Sequence, residues 1–169
     1  MLFLNQALAT APEVLSLEAR QSAESLVVLE ILNTCHGMCG APREWRFRLF
    51  EDATAEYLVS KSSASDPGKD DIILKRSTHL TKGEYDQFIN LAESPQFLGS
   101  AASYNSKVPF IDFYLDTIVT YKKKGMLKRI YLRNYLPGST RSADDPPDEV
   151  RRLVQRANEL SDRIGESNK

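Results

Sequence analysis

The chain has 169 residues, with 22 Lys and Arg against 23 Asp and Glu, a formal net charge of -1, 41% hydrophobic residues, 8 Pro, 8 Gly and 2 Cys. That length suits one domain able to bury roughly two-thirds of the surface its unfolded form exposes, and no residue class dominates enough for collagen, a coiled coil, a disulfide-dense miniprotein or a disordered chain. Balanced charge argues against general nucleic-acid binding, which draws on a strong basic excess, and no run approaches the roughly 18 to 20 apolar residues that span a bilayer.

Residues 1–24 read as an N-terminal segment ahead of the first strand. Met1 to Ala11, MLFLNQALATA, is a short apolar run with small-x-small sites at Ala7-Leu8-Ala9 and Ala9-Thr10-Ala11 before Pro12. It is similar to the end of a secretory signal without its basic start; an ordinary helical or frayed terminus is the alternative. Glu13 to Glu24 is polar and alanine-rich, a weak helix or linker.

Ser25 to Thr34, SLVVLEILNT, is a continuous β-branched and leucine run that reads as a buried strand. A loop containing Gly and Pro is expected from Cys35 to Pro42. Trp45, Phe47 and Leu49 then alternate with Arg46 and Arg48, the period of two that turns aromatics inward and arginines outward. Glu51-Asp52-Ala53 is a tight turn from which Thr54 to Val59 returns as the antiparallel partner. Lys61 to Asp71 collects Ser, Asp, Pro and Gly and is expected to be a mobile loop, with a further strand over Ile72 to Arg76.

Thr81-Lys82-Gly83-Glu84 fits a capping box, and Tyr85, Phe88, Ile89 and Ala92 recur at helical spacing, so a helix runs to about Glu93 and stops near Pro95. Phe97 and Leu98 are expected beneath it, followed by an irregular stretch from Ser100 to Phe110. Asp112 to Tyr121 and Lys128 to Arg133 read as two strands of a hairpin around Lys122-Lys123-Lys124-Gly125. After a loop from Pro137, Asp145 is placed as the cap of a last helix with Pro146 at its first position. Val150, Leu153, Val154, Ala157, Leu160 and Ile164 form its apolar stripe. The order predicts an α+β fold: an antiparallel sheet of about five to six strands with two helices packed on one face, in a single domain over 25–165, with a disordered tail over 166–169.

These residues resemble a bacterial family of small, mostly exported domains of unknown function that opens with Cys-Phe-Gly-x-Cys-Pro-x-Tyr, followed by a strand, an Asp-Gly turn and a strand ending in Tyr. Cys35, Gly37 and Cys39 match the opening, and Trp45 stands at the Tyr position after a two-residue insertion. Asp52 and Tyr57 match the turn and strand end, Phe97 and Tyr104 the aromatics after the first helix, and Asp116 the acidic residue before the second hairpin. His36 replaces the family's aromatic, Ala53 its turn glycine, and the proline is displaced to Pro42. The likeness spans Leu26 to Ile164 and implies an extracytoplasmic location, periplasmic or membrane-associated, with no catalytic residues; a cytoplasmic location stays open.

Cys35 and Cys39 are spaced so that their side chains can meet across a tight loop, giving a disulfide worth roughly 2 kcal/mol in an oxidising compartment; a pair of reduced thiols is the alternative. The spacing is one residue too long for the thioredoxin motif. Cys35, His36 and Cys39 offer at most three zinc ligands, with His79 distant in sequence, so no metal is expected. No nucleophile elbow, phosphate loop or dinucleotide fingerprint occurs. Asp112 and Asp116, four apart on a strand, would lie about 13 Å from each other, too far to share a proton.

Thr117 to Ala143 holds Lys122, Lys123, Lys124, Lys128, Arg129, Arg133 and Arg141 and no acid. On a protruding hairpin these form a positive surface for an acidic partner or an anionic membrane, or they guard an edge strand against pairing. Tyr114, Tyr121, Tyr131 and Tyr135 interleave the cluster, as tyrosines commonly do in strands.

The sequence therefore points to a non-catalytic binding or accessory module, not an enzyme, with no cofactor. Its contact residues would be Lys122, Lys123, Lys124, Lys128, Arg129 and Arg133, and its partner a protein or larger complex, or an anionic membrane surface, but not nucleic acid. The alternatives are a thiol-redox protein or small enzyme using the Cys35 and Cys39 loop, and an inhibitor- or immunity-type protein.

Overall fold

Alternation along Trp45-Arg46-Phe47-Arg48-Leu49 sorts one strand into two faces, and the register carries that sorting across the whole sheet. In the computed structural model, which describes residues 27–37, 44–62, 70–105, 113–134 and 145–166, the strands are β1 (Val27–Gly37), β2 (Glu44–Phe50), β3 (Thr54–Ser62), β4 (Asp70–His79), β5 (Ser103–Asn105), β6 (Phe113–Lys123) and β7 (Met126–Arg133). They form one sheet in the order β4-β3-β2-β1-β6-β7-β5. Three helices accompany it among the described residues: α1 (Lys82–Ala92), the single turn α2 (Pro95–Leu98) and α3 (Asp148–Glu166). No described helix is long and apolar enough to cross a membrane.

Leu29 and Ile31 of β1 stand opposite Leu49 and Phe47 on one side and Tyr121 and Val119 on the other, which places all six on one face. Phe88, Ile89 and Ala92 of α1 and the stripe from Val150 to Ile164 of α3 bury against that face. Phe47 stacks on Phe88 with ring centroids 5.3 Å apart, and Phe97 meets Tyr121 edge to face at 6.2 Å. Truncating a side chain as enclosed as Phe88 or Leu153 would cost about 2 to 5 kcal/mol.

The α+β class and the two long helices on one face agree with the sequence reading, whereas the sheet has more strands than expected and is mixed. β5 pairs parallel to β7 through Ser103, Tyr104 and Asn105 opposite Tyr131, Leu132 and Arg133. Three residues with no apolar alternation carry no strand signal, which is why Ser100 to Phe110 reads as irregular. The described ends of the 61–71 stretch are also strand: Lys61 and Ser62 finish β3 and face Asp71 and Asp70 of β4. The rest of that stretch lies outside the described residues, as do residues 1–24, Asp112, Arg141 and 167–169.

Two further boundaries differ from expectation. β1 continues through Cys35, His36 and Gly37, because β6 supplies backbone partners as far as Phe113. α3 begins at Asp148, not beside Asp145, since Pro147 disfavours the helical conformation for Pro146 before it. The box at Thr81 is present as expected: its hydroxyl accepts from the Glu84 amide while the Glu84 carboxylate accepts from the Thr81 amide at 3.0 Å.

Candidate contact surface

β6 and β7 are joined by two residues, Lys124 and Gly125, whose φ angles of 53° and 79° are both positive. That is the primed turn whose twist matches antiparallel strands, and it favours Asn-Gly; a lysine in its first position is strained. The expected four-residue connection is thus shorter, and Lys122 and Lys123 belong to β6. The last pair between β6 and β1 is Tyr121 with Leu29, so Lys122 to Leu127 extends beyond the β1 ladder. β5 reaches only Tyr131 to Arg133, leaving Met126 to Ile130 without a strand neighbour on that side among the described residues.

Of the six cations expected at the contact surface, four point outward and two turn back. Lys123 Nζ lies 3.1 Å from Glu93 Oε1, at the end of α1, and Lys128 Nζ donates to the Ser100 carbonyl at 2.6 Å. Lys122, Lys124, Arg129 and Arg133 are exposed, with Arg129 Nε in a long 3.4 Å contact to Thr120 Oγ1. Sequence reasoning missed the apolar component: Leu127 is 64% exposed and Met126 38%, at the tip among these charges. Period two alone carried that signal, since Leu127 falls opposite Lys122, on the face turned away from the helices.

That same open face carries a ladder of ion pairs across four strands. Lys75 of β4 meets Glu56 of β3 at 2.7 Å, and Arg48 of β2 donates Nε to Glu30 of β1 at 2.9 Å. Glu56 is only 6% exposed, and Arg46 joins Glu30 to Glu44. These arginines are therefore committed within the sheet. A recess of about 270 Å³ between them and the hairpin is lined by Glu30, Arg46, Arg48, Thr120 and Lys122.

At the far end of β1, His36 Nε2 lies 3.3 Å from Asp116 Oδ2 of the neighbouring strand, and Asp116 Oδ1 accepts weakly from the Asn134 amide at 3.4 Å. Cys35 is nearly buried. Cys39, the other half of the expected disulfide, lies outside the described residues. On the opposite side of the molecule, an open recess of about 600 Å³ holds His79, Ser77 and Glu84. The Glu84 carboxylate there already serves Thr81 and Arg163, the latter at 2.8 Å, and the Arg163 hydrogen bond above all holds its pKa at about 2. Among the described residues no cluster of three or more His, Cys, Asp or Glu could hold a metal ion.

Compared with models of known protein families and with curated proteins, the chain gives no significant match.

Proposed function

We propose that this domain is a non-catalytic binding or accessory module that works by surface contact through the β6–β7 hairpin, as a peripheral member of a larger, extracytoplasmic assembly. One observation carries the reading: Lys122, Lys124, Arg129 and Arg133 all stand exposed on a hairpin whose tip extends past the β1 ladder. The family resemblance and the Cys35–Cys39 disulfide proposed for the β1 end favour an oxidising compartment. The test is affinity capture from the native host with the wild type and with Lys122→Glu/Lys124→Glu. Loss of the captured partners in the double variant supports the hairpin as the contact surface, and capture that is unchanged at moderate salt contradicts it.

A second reading, a thiol-redox role for Cys35 and Cys39, rests on the spacing of the two cysteines, since His36, 3.3 Å from Asp116, projects from the other face of β1. Alkylation followed by intact mass separates the two. Rapid modification of an accessible thiol favours redox chemistry, and an unreactive oxidised pair favours a staple.

A further inference from the structure

We propose that the hairpin tip docks on an anionic lipid surface, with Leu127 entering the headgroup boundary and Lys122, Lys124 and Arg129 engaging lipid phosphates. This rests on the contact reading above and names its partner. An exposed leucine among cations fits a membrane interface, which has an apolar layer directly beneath its phosphates. Here the two kinds of group share one tip: Leu127 is 64% exposed, opposite Lys122 in the ladder, with Arg129 two residues along the same face and Tyr131, 37% exposed, beyond it. Tyrosine is at home in such an interface, where its ring is apolar and its hydroxyl wet.

The turn adds an independent observation. Lys124 occupies a left-handed position at φ 53°, where Asn or Gly would fit without strain, so folding alone would not select lysine there. Strain of this kind collects where a residue serves contact with something else. Glu93 pairs with Lys123 on the helix-side face of the tip, so the field on the open face comes from Lys122, Lys124 and Arg129. Each basic residue near a negative bilayer draws the protein toward it, and the attraction weakens within a Debye length.

The experiment is co-sedimentation of the full chain with vesicles of phosphatidylcholine alone and of phosphatidylcholine mixed with phosphatidylglycerol, at low and physiological salt. Binding is expected only to the phosphatidylglycerol vesicles, weakening with salt. Leu127→Ser should lower it roughly tenfold at either salt concentration. Lys124→Asn should lower it about fivefold while raising the midpoint of thermal unfolding, so reduced binding cannot be assigned to misfolding. Equal binding to both vesicle types, or binding indifferent to Leu127→Ser, overturns the inference. If no vesicle binds but charge reversal at Lys122 and Lys124 still abolishes capture of a protein from the host, the lipid assignment falls and the contact reading stands. If neither vesicles nor protein respond to the hairpin, both fall.

Discussion

Tyr121 donates its hydroxyl to Glu93 Oε1 at 2.6 Å, so a buried β6 ring is latched to the end of α1 directly below the basic hairpin. Burial and this bond push the Tyr121 pKa up, and the same bond, with Lys123, pulls that of Glu93 down. Two signs follow. Glu93 contributes stability present above the ordinary carboxylate range and lost as pH falls through its lowered pKa. Tyr121 contributes stability present below the ordinary phenol value and lost as pH rises through its raised one. Spectrophotometric titration should show one of the 7 tyrosines ionising only as the protein unfolds. In urea, Glu93→Ala should cost about 1 to 2 kcal/mol and Tyr121→Phe less, because the first variant leaves an enclosed hydroxyl without its acceptor.

Glu84 joins the capping box to Arg163 of α3, an ionic contact between the two long helices. Its pKa is about 2, below its ordinary value of 4.5, so its contribution is complete above that ordinary value and disappears as pH falls toward 2. Glu84→Gln should lower stability by about 1 to 2 kcal/mol at neutral pH, a figure discounted for its partial exposure. The variant and wild type should converge at the acid end of an unfolding series.

Ala53 closes the β2–β3 turn at φ 63°, while its amide donates to Phe50 and its carbonyl accepts from Leu80. The left-handed conformation costs a non-glycine residue about 1 to 2 kcal/mol, and glycine returns part of that to the unfolded chain as entropy. Ala53→Gly should therefore stabilise by about 0.5 kcal/mol, seen as a higher urea midpoint with an unchanged slope. A lower midpoint would show that packing of the Ala53 methyl outweighs the strain.

Glu56 is enclosed on the open face and held by Lys75 at 2.7 Å and Arg48 at 3.9 Å. Glu56→Ala should cost about 1 to 3 kcal/mol, since Arg48 then lacks one of its carboxylates. Lys75→Ala should cost no more than about 1 kcal/mol because its side chain is 63% exposed. Equal effects would mean that the ladder acts as one unit, which a double-mutant cycle would quantify.

How much of this was legible depended on whether the signal was local. The Thr81 box, the α3 stripe and the β2 alternation each depend on residues within a few positions, and they appear in the fold as read. The parallel strand β5 is held by β7 some 28 positions later, as Ser103 opposite Tyr131 shows, and carries no pattern of its own. The His36–Asp116 approach and the Tyr121–Glu93 latch are likewise set by register between distant strands and elements, which no spacing rule encodes. The basic run was visible as composition, but its division into outward Lys122, Lys124, Arg129 and Arg133 and inward Lys123 and Lys128 needed Glu93 and Ser100 in place.

The most direct test of contact through the hairpin is lysine acetylation footprinting of the domain, alone and with host membranes and extract, followed by peptide mass spectrometry. Lys82, with a side chain 91% exposed on α1, serves as the reference. Selective protection of Lys122 and Lys124, with Lys82 modified as fast as before, is the expected result. Equal modification of all three in both conditions would contradict the account.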